Sequence, residues 1–469
     1  MESNHRSKRL ICASLFLLFH FSFLISTANA QWYTGMSQKT GLALCIHLTD
    51  TAAELYSPMQ SAEPIPVSKW SLDGDRLAIE CGKIGLKMEL RRSKDGAETE
   101  QTVWKGYWKQ GLFKEDITFY PTDTLYQLRR PQTPQPPYRF DEETIVADYT
   151  DSQGNQVHLE GTLSVPRGSA ARYPCLVLVS GSGQQNRDEE IMQHKPFLVL
   201  ADHLASRGIA VLRYDDRGVG ASTGEVDNAD TRLFAEDAEA MLEAVKTNPH
   251  VDADRLGIGG HSEGGAIAPM VAARNKDVKF VVMLAGQGCT GLDVLLQQNE
   301  AIFRAAGVSD SLVAIHVACM RELFNLATQS PSHPVTQKDC KSVIARHTAG
   351  LTKEQVDSIG LGRGTAAAMK QQLDSRWMQT FLTLDPAEYL PKVGCRILAL
   401  NGSKDSQVLC EPNQKRIAEL TGGRAKCVQL EGLNHLFQHC TTGSPDEYIL
   451  IEETFAPEAL EEIAGWVNK

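Results

Sequence analysis

Three side chains offer a coherent chemistry: Ser262 in RLGIGGHSEGGAIAPM (255–270), Asp405 in RILALNGSKDSQV, and His435 in CVQLEGLNHLFQHC. A serine hydroxyl is a poor nucleophile until a base takes its proton, and an imidazole base needs an acid to fix its orientation. The three occur in the order nucleophile, acid, base, each just after an apolar strand-like run. Gly260 and Gly264 flank the serine between RLGIG and the small-residue helix AIAPMVAAR. Without Cβ atoms where strand end and helix start crowd each other, Ser262 can take a strained backbone and project its Oγ from the sheet edge. Taken singly, each residue has a plainer reading: a tight βα turn, a turn or N-cap aspartate, a surface histidine. Their joint order and placement favour the nucleophile. His439 is the reserve base, though it falls nearer the following segment, and His261 is next to Ser262, so its side chain should diverge from Oγ.

A developing oxyanion needs two donors. The backbone N–H of Glu263, at the helix start, is one. The second is expected from SGSGQQNRDE, the loop after CLVLVS, where the Ser182 N–H is favoured and Gly183 is the alternative. In that loop Arg187, Asp188 and Glu189 read as an ion pair bracing the backbone or as a charged surface turn, with bracing preferred. The run 215–220 reads as a structural loop beside the site. The Glu263 side chain receives no role, and the chemistry calls for no metal and no cofactor.

These residues need a scaffold, and the patterning supplies two regions. From 31 to 128, period-two alternation broken by Asp73-Gly74 and Asp95-Gly96 turns predicts a small antiparallel β-barrel or sandwich. Trp104 and Trp108 are expected to fill its core, although tryptophans can also stack on a sugar ring. A stretch with four prolines, 129–140, reads as an extended, semi-rigid spacer. From 141 to 469, after a leading hairpin, continuous apolar strands alternate with helices, which predicts an α/β domain with a mostly parallel sheet covered on both faces. The alternation lapses at about 289–390, where helical sequence with a capping box at Thr352–Gln355 forms a cap above the strands' C-terminal ends. Leu460, Ile463 and Trp466 mark a closing helix.

Residues 1–30 read as a secretory signal peptide: Arg6, Lys8 and Arg9, then an apolar run from Leu10 to Ile25, then an Ala28-Asn29-Ala30 cleavage pattern. That run is short for a membrane span, and no later stretch is long and apolar enough to cross a bilayer. The expectation is an exported protein, periplasmic or secreted. The net charge is −11, or −13 without Glu2 and the three basic leader residues. With no basic block, nucleic acid is a poor partner. Ten cysteines follow Cys12, without metal-type spacing. Cys410 and Cys440 each follow a candidate triad residue by five positions, so a disulfide tying the two loops is one expectation. Oligomeric state is not legible.

The motifs LVSGSG, RYDDRGVGASTG, GHSEGG, NGSKDSQV and LNHLF together resemble the α/β-hydrolase superfamily, and are similar to exported bacterial carboxylesterases with a helical cap in the dienelactone-hydrolase-like and serine-aminopeptidase-like group. The resemblance implies Ser262 as nucleophile, Asp405 as acid, His435 as base, and a small-molecule ester as substrate. The oxyanion loop departs from that pattern at Gln184, where proline is usual, and at Asn186, where aspartate is usual. A peptidase using the same triad is the first rival reading. A non-catalytic protein that binds a surface polymer through its β-domain is the second.

Overall fold

The computed structural model describes residues 31–60, 64–94, 102–111, 113–329 and 334–469. The expected signal peptide lies outside them. The described residues form two compact units, one made of those in 31–56 and 64–125, the other of 57–60 and those from 126 to 469.

The first unit is a nearly closed antiparallel sheet. Its strands are β1 (Gln31–Met36), β2 (Ala43–Leu48), β3 (Ala53–Tyr56), β4 (Lys69–Asp73), β5 (Arg76–Cys81), β6 (Leu86–Lys94), β7 (Thr102–Gln110) and β8 (Phe113–Thr122). They lie in the order β3-β2-β1-β8-β7-β6-β5-β4. Leu77, Ile79 and Cys81 alternate inward as their spacing predicts, and Trp104 and Trp108 are buried among them. Both rings therefore serve as core.

The second unit has the α/β-hydrolase fold. The hairpin β9 (Phe140–Thr150) and β10 (Gln156–Pro166) opens it. There follow β11 (Tyr173–Val179), α1 (Pro196–Ala205), β12 (Ala210–Tyr214), α2 (Thr231–Lys246), β13 (Val251–His261), α3 (Glu263–Arg274) and β14 (Phe280–Leu284). Six cap helices come next: α4 (Gly291–Ala305), α5 (Asp310–Gln329), α6 (Gln337–His347), α7 (Lys353–Ser358), α8 (Thr365–Asp374) and α9 (Arg376–Thr383). The chain closes with β15 (Arg396–Gly402), α10 (Cys410–Leu420), β16 (Ala425–Leu430) and α11 (Pro457–Val467). Strand order is β16-β15-β14-β13-β11-β12-β10-β9, parallel from β16 to β12 and antiparallel at the β10 and β9 edge.

The central parallel strands β11 and β14 are buried along their whole length because both faces of the sheet are covered there. Cys175, Val177 and Val179 pack with residues of α2 and α3, while Leu176 and Leu178 pack with residues of α1 and α11. The cap has its own core, including Leu296, Met320, Phe324 and Leu373, and α7 begins with the expected Thr352–Gln355 box. The proline-rich stretch lies against this same unit. Arg130 donates to the carbonyls of Met192, Ile449 and Ile451, and Gln132 bonds the backbone of Thr454 and Phe455.

Near the β9 edge, the buried Arg217 guanidinium donates to both Asp237 oxygens at 2.8 Å and to Asp151 at 3.1 Å. Removing one partner of a buried pair strands the other charge, which costs about 3–5 kcal/mol. Asp237→Ala is expected to lose about that much by urea unfolding; a change below about 1 kcal/mol contradicts a buried ionic pillar.

Candidate functional site

Strand register brings His261 of β13 beside Leu284 of β14, and Gly402 of β15 beside Leu430 of β16. The loops carrying Ser262, Asp405 and His435 therefore leave one sheet edge. Ser262 has φ 55° and ψ −116°, a conformation L-residues rarely adopt. Its N–H donates to the Leu284 carbonyl at 2.8 Å, and its carbonyl accepts the Gly265 N–H at 2.9 Å. The flanking glycines are required by space: a Cβ on Gly260 would stand 2.3 Å from the Gly264 backbone, and one on Gly264 would stand 2.2 Å from the Val179 carbonyl oxygen.

Asp405 and His435 are both buried, with Nδ1 of the imidazole 2.8 Å from Oδ2 of the carboxylate. The other oxygen, Oδ1, accepts the N–H groups of Gln407 and Val408, each at 2.8 Å. With Nδ1 committed, Nε2 is the nitrogen left for the cavity. The His435 loop turns on the fully buried Asn434, whose Oδ1 accepts from Leu436 and Gln438. Short polar side chains of this kind stabilise tight turns. Phe437, at φ 58°, stacks on Phe455. His439, the reserve base, instead pairs at the surface with Glu453 and Glu458.

The loop after β11 is braced, as its charges suggest. Arg187 pairs with Asp215 and Glu160, and Arg213 with Asp188. Asp216 accepts from the Ser180 hydroxyl at 2.6 Å and the Gln185 N–H at 2.9 Å. Glu189 reaches furthest inward. One of its oxygens accepts the Gly181 N–H at 2.7 Å and lies 3.0 Å from Nδ1 of His261. With the Gly181 amide occupied, the backbone N–H groups of Ser182 and Glu263 have no protein acceptor among the described residues. Burial works against a charged His261, but the Glu189 charge and hydrogen bond outweigh it and raise the imidazole's pKa.

The Glu263 side chain, silent in the sequence, is buried and accepts from Thr231 Oγ1 at 2.6 Å and Trp377 Nε1 at 2.9 Å. Burial raises its pKa, against hydrogen bonds from Thr231, Ser182 and Trp377. Trp377 belongs to α9, and the next contacts along, Arg376 and Thr380 to Asp230, fasten the same cap helix to the N-cap of α2. Beneath it lies a cavity of about 330 Å³ lined by Ser262, His435, Glu189 and Glu263, by apolar Val294, Leu295, Met378, Phe381 and Leu436, and by several glutamines. A wider groove of about 480 Å³, between α4 and α5, includes none of the triad or oxyanion candidates.

The expected disulfide is absent. Cys410 and Cys440 are free thiols that donate in different directions, to Gln429 Oε1 and the Gly432 carbonyl. Burial pushes the Cys410 thiol up to about 11. Equal spacing from Asp405 and His435 did not bring the two sulfurs into a bond.

Fold and site together define an α/β hydrolase. The chain belongs to the family described as serine aminopeptidase, S33, whose model matches residues 195–438, just over half its length. A second model, described as acetyl xylan esterase, matches residues 97–286. Esterase EstD of Thermotoga maritima is 26% identical over 313 residues; the match spans 66% of this chain and 66% of that relative, a little under two thirds of its length. Among solved structures, the chain is similar to Est1E of Butyrivibrio proteoclasticus, described with ferulic acid bound (16% identity, 68% of this chain and 95% of that one, TM-score 0.39). It is also similar to an esterase of Pyrococcus furiosus (14% identity, 70% and 90%, TM-score 0.40).

Because the His261 pKa is raised on folding, its pairing with Glu189 contributes stability that is complete below the ordinary histidine value of about 6.5. That contribution is lost as pH rises through the raised value. The difference in urea midpoint between wild type and Glu189→Gln is expected to be widest near pH ~6 and to narrow in alkaline solution. A difference that does not vary with pH contradicts the pairing.

Proposed function

We propose that this protein is a serine hydrolase that cleaves carboxylic esters of modest size. The observation that carries the reading is the Asp405–His435 couple, closed at 2.8 Å, opening into the cavity that also holds Ser262 at a strained φ. In this reading Asp405 holds the tautomer of His435, and Nε2 takes the Ser262 proton as Oγ attacks the ester carbonyl. The Ser182 and Glu263 N–H groups receive the oxyanion, a contribution worth about 10²–10³ in rate per donor. His435 then protonates the departing alcohol, and water, activated by the same imidazole, releases the acyl group. About 330 Å³ is at the small end for a ligand site, which favours short acyl chains or compact alcohols.

The family description favours a second reading, cleavage next to a free amino terminus. That chemistry calls for a carboxylate free to meet an ammonium. The two carboxylates lining the cavity are engaged by the protein itself, Glu189 by Gly181 and His261, Glu263 by Thr231 and Trp377. This supports esters over aminoacyl substrates. The triad arrangement also supports an enzyme over a purely polymer-binding protein. Export through the leader belongs to the same proposal.

Ser262→Ala is expected to lose at least about 10⁴-fold in ester hydrolysis with the fold unchanged by circular dichroism; near-wild-type turnover ends the proposal. On a panel pairing aryl and alkyl esters with aminoacyl amides, esters should be turned over faster, and a preference for amides with a free amino group reverses the assignment. Sequencing the protein recovered from its native host should begin at Gln31, and a retained leader contradicts export.

A further inference from the structure

His261 directly precedes Ser262 and lines the same cavity, yet its buried ring has both nitrogens engaged by the protein. Nε2 lies 2.9 Å from the backbone carbonyl of His435. A carbonyl only accepts, so Nε2 carries a proton. Nδ1 lies 3.0 Å from Glu189 Oε1, the same oxygen that takes the Gly181 N–H. One imidazole thus joins three pieces of the site: the end of the nucleophile strand, the loop that carries the Ser182 amide, and the loop that carries His435. The pieces are close. A Cβ on Gly181 would stand 3.3 Å from Ser262 Cβ, and the rings of His261 and His435 are 4.7 Å apart.

The backbone shows that this arrangement is held against a cost. Glu189, Met192 and Gln193 have φ of 51°, 50° and 62°. Non-glycine residues in that region cost of order 1–3 kcal/mol each and persist where surrounding contacts over-determine them. The ionisable groups facing His261 are Glu189, His435 and Asp405, and Phe437 closes its other side.

We propose that Glu189 and His261 are positioning residues, a second buried acid–imidazole couple that sets the oxyanion loop and the His435 loop against Ser262. Both nitrogens of His261 and Oε1 of Glu189 are engaged by the protein, so the couple acts by holding backbone rather than by exchanging a proton with substrate. The proposal rests on the ester-hydrolase reading, because its effect is seen through that reaction.

The test is a double-mutant cycle on the full-length mature protein with an aryl ester, reading kcat and KM separately. Glu189→Gln and His261→Ala are each expected to lower kcat about 10–100-fold, with KM within about threefold, and the double variant should be no slower than the worse single one. His261→Gln, which keeps a donor near the His435 carbonyl, should recover part of the loss. His261→Asn, which keeps one near Glu189, should recover a different part. Losses that add, losses confined to KM, or single variants within twofold of wild type overturn the proposal. Should Glu189→Gln fail to fold, the Gln and Asn replacements of His261 decide alone: both at wild-type kcat overturn it. Failure of the reading beneath it looks different, since wild-type protein would then itself lack esterase activity that depends on Ser262.

Discussion

Close approach of backbone at the end of β13 is the constraint on which the site depends. Three segments meet there with no room for side chains: Gly264 against the Val179 carbonyl, Gly260 against Gly264, and Gly265 against the Cα of Gly286. This packing lets α3 begin immediately after Ser262 and holds that residue at a strained φ. It also draws the chain after β11 close to Ser262, so that Ser182 of that loop and Glu263 at the start of α3 line the same cavity. Hydrophobic burial on both faces of the sheet supplies the anchorage that such strain requires.

Around that meeting point the structure places two acid–imidazole couples and one carboxylate. Asp405–His435 faces the cavity. Glu189–His261 lines the same cavity and is bound to the backbone of both neighbouring loops. Glu263 extends its side chain to Trp377 on α9, so the residue that follows Ser262 also fastens the cap above it. Cap position and the turn at Ser262 are thereby coupled through one residue.

Much of this was legible in the sequence because it follows local rules. Continuous apolar runs such as CLVLV and FVVML announced buried parallel strands, and the helical stretch between β14 and β15 announced the cap. Glycine spacing around Ser262 stated its own steric reason. What escaped was long-range. Glu189 meets His261 across 72 positions, and Trp377 meets Glu263 across 114; no periodicity or turn chemistry encodes such pairs. Asn434 was within reach, since an asparagine before a candidate histidine is a turn former. The stretch 129–140 reads as a spacer from its prolines, but Arg130 and Gln132 bind backbone more than 300 positions away. The disulfide expectation erred by treating equal sequence spacing as if it were proximity.

In the proposed mechanism Ser262 is the nucleophile of this site, activated by His435. The most direct test is mass spectrometry of the intact mature protein after reaction with a fluorophosphonate, followed by peptide mapping. The expected result is one adduct per chain, located on Ser262, and strongly slowed in His435→Ala. An unmodified protein, or an adduct placed on another residue, contradicts it.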